Sequence, residues 1–383
     1  MTALRLGVYS DHWYRREADG LYADRAFILF LGGIARNVDR LVLAGQLRPD
    51  LPGAHYRVPD EIDFEALPTY PSLTHPSAIP AMARSLLAFW RMLGRVDGVW
   101  LLGPHPLCLA FAALALLRRK RVALGVRQDF PVYVRSRHPG RRSVHLAGDL
   151  LERAYRLLAR RCATVVVGPE LARHYRHARR LLPISVSLVR EVDVASTDAV
   201  LAREPPERPL TALSVGRLET EKNPLMLADV AARLGDDWRL IVCGEGPLED
   251  DLRARIDALG VAGRVELRGY LPLDGGLMDL YRSADALLHV SWTEGVPQVL
   301  LEAFAAGTPV VATAVGGVQE AVGEAALLIP AGDPDAAARA LGRLASEPDL
   351  PARLAERGLE RVRSRTLEAE STRVAAFLAG PGD

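Results

Sequence analysis

The 383-residue chain is about half hydrophobic (49%) and a quarter charged (25%), with a formal net charge of +1 at pH 7. At roughly 100–200 residues per domain this length predicts two domains, and the composition excludes collagen-like, disulfide-scaffold and disordered chains. The small net charge conceals a division: residues 1–204 carry 30 basic against 19 acidic side chains, and residues 205–383 carry 18 against 28, so the two halves are expected to meet different partners.

The N-terminus runs straight into Leu4-Arg5-Leu6-Gly7-Val8-Tyr9 with no long apolar core, so no secretory signal is expected. Short β-rich runs then alternate with longer amphipathic stretches. In the first half strands are predicted at 5–10, 40–44, 98–102, 121–126, 164–168 and 185–189. In the second they are predicted at 210–215, 239–243, 264–268, 286–290, 309–312 and 326–329, with helix-like stretches such as 225–234, 248–259 and 299–306 between them. The most apolar region, 100–117, is broken by Gly103-Pro104-His105-Pro106. What remains, 107–117, falls short of the ~20 residues of a membrane span and is expected to be a buried helix.

The steepest basic stretch, 118–190, holds 18 basic residues against 4 acidic ones. Within it His174 and His177 lie one helical turn apart with no accompanying carboxylate, and read as part of a basic helix face rather than as metal ligands. Cys108, Cys162 and Cys243 are far apart in apolar runs and read as buried reduced thiols of a cytoplasmic protein. The charged, proline-rich run Arg203-Glu204-Pro205-Pro206-Glu207-Arg208-Pro209 is expected to link two sheets. The expected architecture is α/β, with two Rossmann-like, doubly wound domains (1–204 and 205–365) facing across a cleft and ligands at the C-terminal strand ends. Residues 366–383 are expected to form a C-terminal helix packing back on the first domain.

Chemistry concentrates in the second half. Strand 210–215 leads into Gly216-Arg217-Leu218-Glu219-Thr220-Glu221-Lys222-Asn223-Pro224, where Arg217 and Lys222 straddle a loop before a helix. Two cations converging at a strand end would clamp a diphosphate without a metal; two solvated loop cations are the alternative. Lys222 and Lys120 are the only lysines among 48 basic residues, so a compact ammonium stands out here. In Gly244-Glu245-Gly246-Pro247 the glycines permit close backbone approach by a ligand, or an ordinary strand-to-helix turn. In the run from Ser291 to Ala303, Glu294 follows a strand, Gly295 permits a turn, and Pro297 suits the first turn of the next helix. That helix would aim free N–H groups at phosphate oxygens. Glu302, inside the same apolar helix, needs a partner, which ribose hydroxyls or a neighbouring arginine would supply.

Together these segments, with Ala305-Ala306-Gly307-Thr308-Pro309, Gly316-Gly317 and Pro330-Ala331-Gly332-Asp333-Pro334, resemble the retaining family 4 of GT-B glycosyltransferases (glycosyl transferases group 1) over 210–362. The resemblance implies a GT-B fold and transfer of a sugar from a UDP- or GDP-linked donor to an acceptor hydroxyl, with no cofactor and no metal. It implies that Arg217 and Lys222, after Gly216, hold the diphosphate, and that Gly244 and Glu245 belong to the donor site. Glu294 would contact the transferred sugar, and the backbone of Gly295, Val296, Pro297 and Gln298 would meet sugar and diphosphate. Glu302 would hold the ribose, and Tyr270 and Leu271 would line the base.

The first half matches that family less well. In place of a Gly-Gly loop after the first strand the chain has Ser10-Asp11-His12-Trp13-Tyr14 and a later Asp19-Gly20. His105 fits a family histidine near the sugar's anomeric carbon, or is a loop histidine with packing value. Asp19, Gly20, Arg127 and Asp129 are acceptor-side candidates. The basic first half implies an anionic or lipid-linked acceptor, with peripheral attachment at the inner face of an anionic membrane in envelope polysaccharide or glycolipid synthesis. Nucleic acid is not expected, since no binding motif accompanies the arginines. A nucleotide-sugar epimerase on the same fold and a catalytically silent nucleotide-sugar-binding subunit are the rival readings.

Overall fold

The computed structural model describes residues 2–49, 55–70, 75–138, 140–203 and 207–380. The chain divides into two compact units, Met1–Val186 with Leu367–Asp383, and Ser187–Thr366. The boundary therefore falls before residue 187 rather than in the expected linker at 203–209, of which 204–206 lie outside the described residues. The second unit captures this segment through local packing: Val200 is buried with Ala355 and Leu359, the Ala195 N–H donates to the Ala305 carbonyl at 2.8 Å, and Arg203 donates to the Ala306 and Gly307 carbonyls.

In the first unit β1 (Thr2–Arg16), β2 (Leu21–Ala23), β3 (Val38–Leu47), β4 (Tyr56–Arg57), β5 (Ile62–Leu67), β6 (Gly98–Gly103), β7 (Arg121–Val126), β8 (Ala163–Val167) and β9 (Arg180–Ile184) form one sheet. Its parallel path runs β5-β3-β1-β6-β7-β8-β9, and β2 and β4 add an antiparallel extension at the end of β1. The first strand outruns its predicted 5–10 because Tyr14 is buried against Phe64, ring centroids 5.0 Å apart, over a gap that Gly45 leaves open. The strand expected at 185–189 lies at 180–184 instead. Pro183 has no N–H to give, and an edge strand tolerates that. The apolar run after Gly103 is the helix Pro106–Leu117, buried as expected. The C-terminal helix Leu367–Ala379 buries Leu367, Val374, Ala375 and Leu378 within this unit, with Leu367 and Ser371 against Gly33 of the helix Phe27–Ala35.

The second unit is a six-stranded parallel sheet of β10 (Leu210–Val215), β11 (Trp238–Cys243), β12 (Val265–Leu267), β13 (Ala286–His289), β14 (Val310–Thr313) and β15 (Ala326–Ile329) in the order β12-β11-β10-β13-β14-β15. Side chains alternate between its faces. Ala212, Leu240, Val242, Leu288 and Val311 join a core with the helices Leu225–Arg233, Glu249–Ala258 and Pro334–Ser346. Leu213, Ile241, Leu287, Val310 and Ala312 join another with Leu277–Ser283, Gln298–Ala306 and Val318–Val322. With both faces covered, these strands read as continuous apolar runs, which is why sequence located them well. In each unit the order reverses between two neighbouring strands, β10 and β13 in one and β1 and β6 in the other, and ligands bind at such reversals, outside the carboxyl ends of the strands.

Candidate functional site

At the second unit's reversal the chain leaves β10 toward β11 and leaves β13 toward β14, so the two following loops diverge. They are tied together where the Trp292 N–H donates to the Glu221 carbonyl at 2.9 Å. Three donors meet one oxygen here: the Lys222 ammonium (2.6 Å), the Ser291 hydroxyl (2.7 Å) and His289 Nε2 (3.1 Å) all lie on Glu294 Oε1. Burial works against ionising Glu294, yet the His289 hydrogen bond and the Lys222 charge outweigh it and bring its pKa down to about 2. Oε2 accepts no hydrogen bond from the described residues, so the carboxylate is anchored by one oxygen and has the other left for a ligand.

Glycines make this approach of loops possible. A Cβ on Gly316, at φ +48°, would sit 1.9 Å from the Glu294 carbonyl oxygen. One on Gly244, at φ +146°, would sit 1.9 Å from the Gly216 carbonyl oxygen. Beside Gly244, the carboxylate of the exposed Glu245 accepts the Tyr270 N–H at 3.2 Å; Tyr270 and Leu271 are partly exposed. Gly295, Val296 and the buried Pro297 lead into the Gln298–Ala306 helix, whose first turn no side chain caps. Pro297 is the N-cap rather than a first-turn residue, because the helix begins at Gln298.

Two expectations need correcting. Arg217 and Lys222 are not free cations: Arg217, half exposed, pairs with Glu219 (2.5 Å) and Glu221 (3.3 Å), while Lys222 pairs with Glu294. The acids interleaved in the loop, Glu219 and Glu221, reach Arg217 because the turn Thr220–Lys222 folds the loop back on itself. Among the described residues no arginine pairs with Glu302. Its Oε2 accepts the Tyr281 hydroxyl at 2.8 Å, and burial raises its pKa to about 7. Oε1 of Glu302 accepts no hydrogen bond from the described residues.

At the first unit's reversal, β1 carries an irregularity between Tyr9 and Trp13 in its pairing with β3. Asp11 and His12 stand in it, and both contact Arg127, which follows β7. Burial and Arg127 hold His12 down to a pKa of about 3; burial opposes ionisation of Asp11, but Arg127 outweighs it and keeps that carboxyl below its usual range. His105, after β6, caps the Pro106–Leu117 helix: its Nδ1 accepts the Leu107 N–H at 3.2 Å and lies 3.2 Å from the Tyr9 hydroxyl. Burial lowers its pKa, so the ring is neutral with the proton on Nε2.

The remaining acceptor-side candidates lie elsewhere. Asp19 accepts the Tyr22 hydroxyl at 2.8 Å in the β1–β2 hairpin, which the Glu17 N–H closes on the Gly20 carbonyl. Asp129 caps the helix Phe130–Arg137 through the Val132 N–H at 3.0 Å. It also sits 3.3 Å from His174 Nδ1, so that histidine does have a carboxylate beside it. His177 lies beyond the helix Pro169–His174, not one turn along it. Sequence reasoning missed His289, Ser291, Tyr281, Asp11 and His12. The polar Asp-His pair directly after an apolar strand was the one available signal. The cysteines are buried and free, and among the described residues no cluster of three or more His, Cys, Asp or Glu is placed to hold a metal ion.

Residues 201–361 match the family model described as glycosyl transferases group 1. A D-inositol 3-phosphate glycosyltransferase of Salinispora tropica is 36% identical over 232 residues, 56% of this chain and 45% of that protein. The lipopolysaccharide core biosynthesis glycosyltransferase LpsE of Rhizobium meliloti is 32% identical over 169 residues, 44% of this chain and 48% of that protein. The chain thus spans about half the length of these curated relatives. Among solved structures, Anabaena Alr3699/HepE in complex with UDP matches with a TM-score of 0.71 at 18% identity, over 98% of this chain and 100% of that one. WaaG, a glycosyltransferase involved in lipopolysaccharide biosynthesis, matches with a TM-score of 0.68 at 16% identity, over 98% and 100%. The fold is that of GT-B glycosyltransferases.

Proposed function

We propose that the chain is a metal-independent glycosyltransferase that moves a sugar, with retention of configuration, from a nucleotide diphosphate donor to an acceptor hydroxyl. The observation that carries this reading is the Lys222–Glu294 pair at the strand reversal of the second sheet, braced by His289 and Ser291. As the bond from sugar to diphosphate loosens, Arg217, Lys222 and the uncapped helix start at Gln298 absorb the growing negative charge. Glu294, ionised at any working pH, accepts a sugar hydroxyl through Oε2, and Glu302 offers Oε1 to the ribose. Neutral His105 carries its Nε2–H at the first unit's own strand reversal. No protein nucleophile is required: the departing phosphate takes the acceptor proton.

The UDP in the complex of the Anabaena protein supports a UDP-linked donor. The phosphorylated inositol in the names of several relatives, and the lipopolysaccharide core in another, support an anionic or lipid-linked acceptor in envelope glycan or glycolipid synthesis. The same reading attaches the basic first unit to the inner face of an anionic membrane; among the described residues no helix is long and apolar enough to cross one.

Purified protein incubated with UDP- and GDP-sugars, with and without an acceptor extract, tests the reading. Nucleotide release that depends on acceptor supports it. Release with free sugar and no acceptor indicates the epimerase, and binding without turnover the silent subunit. An oxyanion-type contact contributes ~2.7–4 kcal/mol to the barrier, so Lys222→Ala should slow turnover roughly 10²–10³-fold with the fold intact. A Lys222→Ala protein at the wild-type rate would remove the role assigned to that ammonium.

A further inference from the structure

The helix Arg142–Ala159 presents an unusual outer face. Leu146, Leu150 and Leu157 are 59%, 54% and 64% exposed. At 100° per residue they fall on one narrow stripe, which Arg142, Arg153 and Arg160 share. A solvated helix face carries charge along its centre, whereas here the centre is leucine and arginine runs along one edge of it. The opposite face is ordinary core, with Gly148, Tyr155 and Ala159 buried. The neighbouring helix Phe130–Arg137 packs on this one and adds Val132, 61% exposed. At the C-terminal end of the stripe Arg153, Arg156 and Arg160 join His174 and His177 around a cavity of about 330 Å³. None of these three arginines forms an ion pair with the described residues, although Asp149 and Glu152 are on the same helix; Asp149 is taken by Arg135 at 2.7 Å.

We infer that this stripe is the element by which the first unit docks on an anionic bilayer, an inference that rests on the membrane-facing reading above. The leucines enter the boundary between headgroups and acyl chains, the arginines extend to the phosphates with their stems along that boundary, and the basic cavity receives one lipid phosphate. The charge of the surrounding sequence, 18 basic against 4 acidic residues over 118–190, is complementary to such a surface and to no apolar partner.

An environment-sensitive dye on Leu150→Cys tests this in the full chain, since the native cysteines are buried. The probe should shift to the blue with phosphatidylcholine vesicles containing phosphatidylglycerol and stay aqueous with phosphatidylcholine alone. A probe on Leu87→Cys, on the helix Ala78–Met92, should stay aqueous with both. The triple variant Leu146→Ser, Leu150→Ser, Leu157→Ser should keep its circular dichroism and its turnover of a soluble acceptor while losing vesicle affinity on the order of 100-fold. If the protein floats with anionic vesicles but the Leu150→Cys probe stays aqueous, the stripe is not the anchor and the membrane reading stands without it. If the protein does not float, both fall. If sedimentation shows a dimer that the triple variant abolishes, the stripe is covered by a second copy and the inference is overturned.

Discussion

Glu294 shows why residue identity and residue role are different questions. Its carboxylate is recognisable from its place after a strand in the run from Ser291 to Ala303, but its state is set by Lys222, 72 residues away, and by His289 and Ser291. Lys222 in turn is legible as a rare lysine, whereas its carboxylate partner is not. Glu302 makes the complementary case. It is buried beside Tyr281, with its pKa raised from 4.5 to about 7. For an acid whose folded pKa lies above its unfolded one, the stabilising form is the protonated one. Its contribution is complete below about pH 4.5 and is lost as pH rises through 7, on the order of 3 kcal/mol in total. Denaturant unfolding of wild type and Glu302→Gln across pH 4–8 should show this decline in the former and its absence in the latter. Parallel curves would mean that Glu302 does not titrate in that window.

The elements around the site behave as their backbones require. The loops after β13 and β14 cross with no space between Gly316 and the Glu294 carbonyl, so a methyl group there meets backbone, which cannot yield by rotating a side chain. Gly316→Ala should therefore cost roughly 2–4 kcal/mol and displace Glu294, lowering turnover as well as melting temperature. Gly342, in the helix Pro334–Ser346 with nothing within 4 Å of an added Cβ, is the contrast. Gly342→Ala should raise stability by roughly 0.5–1 kcal/mol without touching activity. Equal effects from the two substitutions, read by thermal melting, would contradict the crossing. The irregularity in β1 belongs to this scale too. A local insertion in a ladder aims Asp11 and His12 at Arg127, a use of irregular strands common beside functional sites.

For the whole molecule, the C-terminal segment is the informative piece. The helix Leu367–Ala379 follows the second unit in sequence but buries its apolar residues in the first, where Arg121 and Arg180 also donate to the carbonyls at its end. Deleting 367–383 should expose Phe30-bearing helix surface and lower the melting transition of the first unit while that of Ser187–Thr366 stays in place. Hydrogen exchange resolves the two units and would refute this if protection fell in both alike.

The amino-acid sequence by itself determined the α/β class, the strands of the second unit and the chemistry-bearing loops after them. Those features are local: strands covered on both faces are continuous apolar runs, and a turn glycine or a helix start depends on its immediate neighbours. Tertiary structure alone decided which charges meet, so that Arg217 is matched by Glu219 and Glu221, Lys222 by Glu294, and Glu302 by Tyr281. It also decided that 187–203 belongs with the second unit, away from the linker that composition suggested. Partner choice follows from strand order and register, which bring distant residues to one sheet end, and no periodicity within a segment records that order.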